Sequence, residues 1–389
     1  MKWATVFALF SVLFCAVEAH NPKWVTKVKS ELHFGADEFF KWLEQKGDDM
    51  PFKMKKHHGH HKSMKPKFLK PHSDDTLNKY KHTVPDVSSD ELPDSFDARE
   101  KWPDCMGLKT VMNQGECGGC WAFSVTSSLS DRLCIASGGS QNFLLSVEQL
   151  LSCCGSACTD EDSGVGGCDG AWPLSAYEYL TKNGIVTGGT YDDQYGCQPY
   201  IYGPCDGCGN DWPTPTCERR CTTDWSTPFD QDKHYASKSV AVPADVNAIM
   251  KEIYVNGPVS AAISVFMDFE SYSSGVYRHI SGKNMGGHAI KIIGWGTEND
   301  EDYWIIQNSW DTTWGENGFA KILRGVNEVG IEAQVSAGLA RVDSNGGSSS
   351  DDSSEESPDS TDSAVIDYPD NSQGYDSFID QYVRRFFGN

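Results

Sequence analysis

Apolar positions recur at helical spacing in three stretches of this chain. Ala122, Val125, Leu129 and Leu133 fall three or four residues apart within 121–134, which predicts a helix with one face against a core. Cys120 stands just before that helix. Trp24, Val25, Val28 and Leu32, then Phe39, Phe40 and Leu43, predict one or two amphipathic helical stretches nearer the N-terminus. Strand patterns dominate the second half. Residues 259–266, 289–295, 303–306 and 319–323 are apolar or alternating runs with Gly or Asn at their edges. Helices early and strands late predict an α+β protein with two lobes.

The ends of the chain read differently. Lys2, the short apolar run 3–17 and the small-residue site Val17-Glu18-Ala19 predict a secretory signal over 1–19, with a signal anchor as the alternative. The run is too short to span a bilayer, and no other segment reaches the roughly 18 apolar residues a span needs, so no transmembrane segment is expected. Composition shifts at Leu92-Pro93-Asp94-Ser95-Phe96, where Trp, Cys and Gly become frequent. The turn-rich stretch 92–342 is therefore read as one compact domain. Residues 343–389 form an acidic, Ser/Asp-rich tail that cannot bury enough apolar surface to order itself. Its last part, 378–387, regains hydrophobicity and reads as a short docking helix or a frayed end.

Charge narrows the partners. Of the net −22, residues 20–91 carry +3, residues 92–342 carry −16 and the tail carries −9. A body this acidic repels phosphates, which argues against nucleic acid. His57-His58-Gly59-His60-His61 could hold zinc or copper, but a solvated basic spacer that gains charge in acid is the plainer reading, and no metal site is assigned.

Export permits disulfides. Cys15 leaves with the signal, and the other 13 of the 14 Cys lie between Cys105 and Cys221, an odd number that leaves one thiol unpaired. Cys120, in Gln114-Gly115-Glu116-Cys117-Gly118-Gly119-Cys120-Trp121, is the candidate. At a helix start, backbone N–H groups and the helix dipole favour a thiolate and should lower its pKa. A base is available in His288, beside Gly286 and Gly287, and Asn308 could orient that imidazole while Trp310 shields their bond from water.

Together these residues resemble the papain family of cysteine proteases, whose signature is Cys-Gly-(Ser/Ala)-Cys-(Trp/Tyr) followed much later by His and Asn. Gly119 occupies the variable position, and His288 and Asn308 lie 168 and 188 residues beyond Cys120, which implies insertions between the lobes. Leu92-Pro93-Asp94-Ser95-Phe96-Asp97-Ala98-Arg99, Cys153-Cys154-Gly155-Ser156, Asp232-Lys233-His234-Tyr235 and Lys321-Ile322-Leu323-Arg324-Gly325 look like the cathepsin B branch. The resemblance covers about 92–342.

It implies a helical lobe and a β-barrel-like lobe with the active-site cleft between them, and residues 20–91 as a propeptide over that cleft. It implies Cys120 as nucleophile, His288 as acid and base, Asn308 as its holder and Gln114 as oxyanion donor. Gly170, Ala171, Gln334 and Trp310 would contact substrate. The pairs carried over are Cys105–Cys134, Cys117–Cys168, Cys153–Cys217, Cys154–Cys158 and Cys197–Cys221, with Cys205–Cys208 as the sixth. Expected partners are polypeptide substrates, the chain's own propeptide as inhibitor and cystatin-type inhibitors. No cofactor is needed, and the destination is extracellular or lysosomal. The alternative is a catalytically silent relative serving as a binding or matrix protein.

Three departures from the family bear on specificity. The occluding loop that carries two carboxylate-gripping histidines in cathepsin B is shortened here to Cys205-Asp206-Gly207-Cys208-Gly209-Asn210-Asp211-Trp212, with no histidine. An endopeptidase with little or no carboxydipeptidase activity is therefore expected. Gln334 replaces the acid that admits arginine at the base of the second acyl-side pocket, so apolar residues should be favoured there. Ala171 replaces a substrate-binding glycine, which either narrows the cleft or only alters specificity.

Overall fold

The computed structural model of the protein describes residues 50–55, 73–159, 166–204 and 212–342. The signal, the helical stretches expected within 24–43, the histidine cluster, the Cys205–Cys208 pair and the tail lie outside the described residues.

The first half is mainly helical: β1 (Phe52–Met54), α1 (Asp74–Lys79), β2 (Phe96–Asp97), α2 (Ala98–Lys101), α3 (Cys120–Ala136), α4 (Val147–Cys153) and α5 (Pro173–Asn183). The second half is mainly strands: β3 (Ala236–Val242), α6 (Val246–Asn256), β4 (Val259–Phe266), α7 (Met267–Glu270), β5 (Tyr272–Tyr277), β6 (Asn284–Glu298), β7 (Glu301–Gln307), β8 (Phe319–Leu323) and β9 (Val335–Ala340). The sheet runs β1-β5-β8-β7-β6-β4-β9-β3, with β2 added on β6. All neighbours are antiparallel except β5 and β8.

Two apolar cores match the two lobes. Trp121, Phe123, Leu129, Leu150, Tyr177 and Leu180 fill the helical one. Val259, Ile263, Ile292, Trp295, Trp304 and Ile322 fill the sheet one. Burying each such side chain contributes about 1.5–3 kcal/mol.

Helix α3 lies between the lobes, and this explains why it departs from a one-faced pattern. The apolar positions face the helical core, while its polar side chains reach the sheet lobe. Ser124 Oγ donates to Ile290 O at 2.8 Å, Asp131 pairs with Lys291 at 2.6 Å and Arg132 pairs with Glu252 at 2.9 Å. Both ion pairs are almost completely buried. Strand β6 likewise outruns the apolar stretch that announced it, because its glycines are interior and not edges. At Gly294 a Cβ would stand 2.1 Å from Phe96 O, so the missing side chain lets β2 lie against β6.

Candidate active site

Cys120 is the first residue of α3, capped by Gly119, and is 9% exposed. Its Sγ accepts a hydrogen bond from Ala289 N at 3.4 Å, so the thiol sits against the strand residue that follows His288. His288, on β6 opposite Ile263 of β4, is fully buried. Asn308, just past the end of β7, has its Oδ1 2.8 Å from His288 Nε2, and the same oxygen accepts Ser309 N at 2.8 Å. A ring N–H must be the donor in the first of these bonds. That fixes Nε2 as protonated and leaves Nδ1 unprotonated and without a hydrogen-bond partner. The Trp310 ring lies 4.7 Å from the imidazole at 31° and is 2% exposed, so it covers the His288–Asn308 bond.

The expected lowering of the thiol pKa is not what this environment produces. Burial pushes Cys120 up to about 11, and the hydrogen bonds from Ala289, Trp121 and Cys120 N–H groups offset only part of that. Burial also pushes His288 down to about 4, against the support of Asn308. Helix-start donors stabilise the thiolate, but excluding water from a charged sulfur costs more. In this enclosed state both groups are neutral through the range about 4 to 11.

Gln114 is held at four points. Its N–H donates to Ser309 O at 3.0 Å, and its carbonyl accepts the Tyr200 hydroxyl at 2.8 Å. Its side-chain Oε1 accepts the Ser309 hydroxyl at 2.7 Å, while Nε2 donates to Cys117 O at 2.9 Å. The oxygen being occupied, the amide nitrogen is the end turned toward the Cys117–Cys120 turn. Sequence reasoning missed Ser309 and Tyr200. Ser309 adjoins Asn308 and could have been considered, but nothing local marks Tyr200.

Gly170 has φ +101 with open space where a Cβ would stand. Ala171 is 3% exposed and belongs to the helical core, so its methyl does not stand in open cleft. Gln334 lines a small pocket with Trp172, Pro173, Leu174, Ala262 and Leu77, the last reaching in from α1.

Sequence comparison decides the family. Residues 92–339 match the papain family cysteine proteases. This chain belongs to that family. The protease is 44% identical over 291 residues to cathepsin B-like cysteine proteinase 4 of Caenorhabditis elegans, covering 72% of this chain and 83% of that one. It is also 44% identical to the gut-specific cysteine proteinase of the same organism, over 72% of this chain and 82% of that one. Among solved structures it resembles procathepsin B S9 from Trypanosoma congolense, with TM-score 0.64 and 32% identity over 79% of this chain and 99% of that one. Digestive procathepsin L 3 of Tenebrio molitor larval midgut, at 21% identity and TM-score 0.55, covers 81% of this chain and 96% of that one and shares the fold. The protease is thus a cathepsin B-like cysteine peptidase made as a zymogen, not a silent binding module.

Its described cysteines form five disulfides: Cys105–Cys134, Cys117–Cys168, Cys153–Cys217, Cys154–Cys158 and Cys197–Cys221. Among the described residues Cys120 alone is a free thiol. None of the described helices is long and apolar enough to cross a membrane.

Proposed function

We propose that Cys120 passes its thiol proton to His288 Nδ1 as the sulfur attacks the peptide carbonyl, and that Nδ1 gives this proton to the departing amine as the C–N bond breaks to leave a thioester. Nδ1 then takes a proton from water whose oxygen displaces the sulfur, releasing the acid and returning the proton to Cys120. Asn308 holds the imidazole, and Gln114 Nε2 donates to the developing oxyanion beside the Cys120 N–H. The reading is carried by one observation, the 2.8 Å His288–Asn308 hydrogen bond that leaves Nδ1 without a partner while the residue after His288 bonds the Cys120 sulfur.

Residues 20–91 act as the inhibitory propeptide, and the mature enzyme begins near Leu92. Leu77 supports this, since it reaches from α1 to form one wall of the pocket that Gln334 and Trp172 line and that a substrate residue would need. The neutral Gln334 amide favours apolar residues over arginine in that pocket. The shortened loop at 205–212, without histidine, favours endopeptidase action over removal of C-terminal dipeptides. Polypeptides are the substrates, cystatin-type proteins are fitting inhibitors, and the enzyme acts outside the cell or in a lysosome.

The test is a mass-spectrometric map of fragments from a long denatured protein at mildly acidic pH, comparing matured enzyme with Cys120→Ala. Internal cuts that vanish in the variant are expected. Cuts that persist, or release mainly of C-terminal dipeptides, would overturn the reading.

A further inference from the structure

The reading of Cys120 and His288 gives the cleft a direction. The amine leaves on the side of the imidazole, whose ring is covered by Trp310. At that end of the cleft Asn113 bridges to Trp310 and Gln114 N bonds Ser309 O, whereas the Gln334 pocket lies elsewhere, among Trp172, Leu174 and Ala262. The segment Asn113-Gln114-Gly115 therefore stands at the leaving-group end of the cleft.

A tryptophan stands on that segment. Trp212 N donates to Glu116 O at 3.2 Å, which ties its backbone to the Gln114 loop. Its ring lies over Gly115, where φ is +58 and a Cβ would stand 2.2 Å from the indole, so only glycine leaves room for it. The indole packs on Tyr202, with ring centroids 4.7 Å apart at 33°, and the Tyr202 hydroxyl donates to Pro213 O next to it. Tyr202 in turn meets Tyr200 edge-on at 5.8 Å, and Tyr200 meets Phe123 of α3 at 4.9 Å. An aromatic ladder thus climbs from the Cys120 helix, past the residue that holds Gln114, to a half-buried indole at the surface.

We propose that Trp212, backed by Tyr202, is the wall of the leaving-side subsite and selects apolar, above all aromatic, residues just after the scissile bond. The indole offers a broad, rigid face fixed by three separate contacts. A peptide side chain stacking on it loses little conformational freedom beyond its own. This rests on the roles assigned to Cys120 and His288.

The experiment compares the matured wild-type enzyme with Trp212→Ala and Trp212→Phe on two kinds of probe. One is a set of internally quenched peptides with a fixed acyl side and Phe, Leu, Gly or Asp after the scissile bond. The other is an aminomethylcoumarin amide of the same acyl side, which has no leaving-side residue. Trp212→Ala should cut kcat/KM on the Phe and Leu peptides by about 3- to 10-fold while the Gly and Asp peptides and the coumarylamide change little. Trp212→Phe should restore most of the loss. An equal loss on all probes would mean that Trp212 only props the Gln114 loop, and would overturn the proposal, as would an unchanged profile. A wild-type enzyme that releases no coumarin would instead overturn the roles of Cys120 and His288.

Discussion

The two lobes solve the same stability problem by different means. The sheet lobe, from Ala236 to Ala340, contains no cysteine and is held by strand ladders and a continuous apolar core. The helical lobe carries four of the five disulfides entirely within residues 117–221, and its stretch between Asn183 and Ala236 includes no described strand and only one short 3-10 turn. Backbone without a ladder gains no repeating hydrogen bonds to offset its lost entropy, so cross-links supply the constraint there. The proposed catalytic machinery draws on both: Cys120 and Gln114 come from the stapled lobe, His288 and Asn308 from the laddered one.

The sharpest test of that division is His288→Ala. It should lower kcat/KM by roughly 10²–10⁴ and lower the unfolding temperature only modestly, by the cavity that a buried ring leaves, although every disulfide of the other lobe remains. Loss of a single cooperative unfolding transition would mean that His288 is holding the lobes together as well.

The seam between the lobes comes next. Arg132 on α3 and Glu252 on α6 form a buried pair, and Arg132 also donates to Pro258 O and Gly257 O. Glu252→Ala leaves that guanidinium uncompensated and should cost about 3–5 kcal/mol, read by urea unfolding of the inactive Cys120→Ala precursor. Acid probes the same contact without mutation. Burial alone would raise the Glu252 pKa, but Arg132 and His82 overcome it and hold the carboxyl at about 2, below the ordinary 4.5. A depressed carboxyl pKa gives stability that is full above about 4.5 and is lost as pH falls toward about 2. Unfolding midpoints of the precursor should therefore drop across that window, and the drop should vanish in Glu252→Ala.

Removing a staple should act on one lobe. Replacing Cys197 and Cys221 together by Ser should cost about 2–4 kcal/mol. Hydrogen exchange should rise around 184–235 while β6 and β7 keep their protection. Uniform loss of protection would show that the lobes unfold as one unit.

The smallest effect is at the join itself. Ser309→Ala removes one hydrogen bond to Gln114 Oε1 and should lower kcat by up to about tenfold with KM little changed, as befits a net contribution near 1 kcal/mol. A rise in KM alone would place Ser309 in substrate binding instead.

Much of this was legible beforehand. The strands Val259–Phe266 and Phe319–Leu323 have the limits that their apolar runs suggested, because nothing competes with a buried alternating segment. Helix α3 was visible through its apolar face, yet its buried polar face was not, since nothing local marks Asp131 and Arg132 as buried until their partners 160 and 120 residues away are known. Strand β6 was clipped at Gly287 and Gly296, which read as edges and lie inside the strand, and only the approach of β2 explains the glycine at 294.

The sequence by itself determined the chemistry, because an odd thiol after Gly118-Gly119, a distant His and an Asn before Ser-Trp are residue types that few other arrangements require. Tertiary structure alone decided the electrostatics and the supports. Burial, which no local pattern reports, turns the Cys120 thiol from an expected acid into a neutral group. Tyr200, Ser309 and Trp212 converge on the Gln114 loop from positions 86, 195 and nearly 100 residues along the chain. Such contacts depend on how two lobes close on one helix, and a one-dimensional pattern carries no record of that closure.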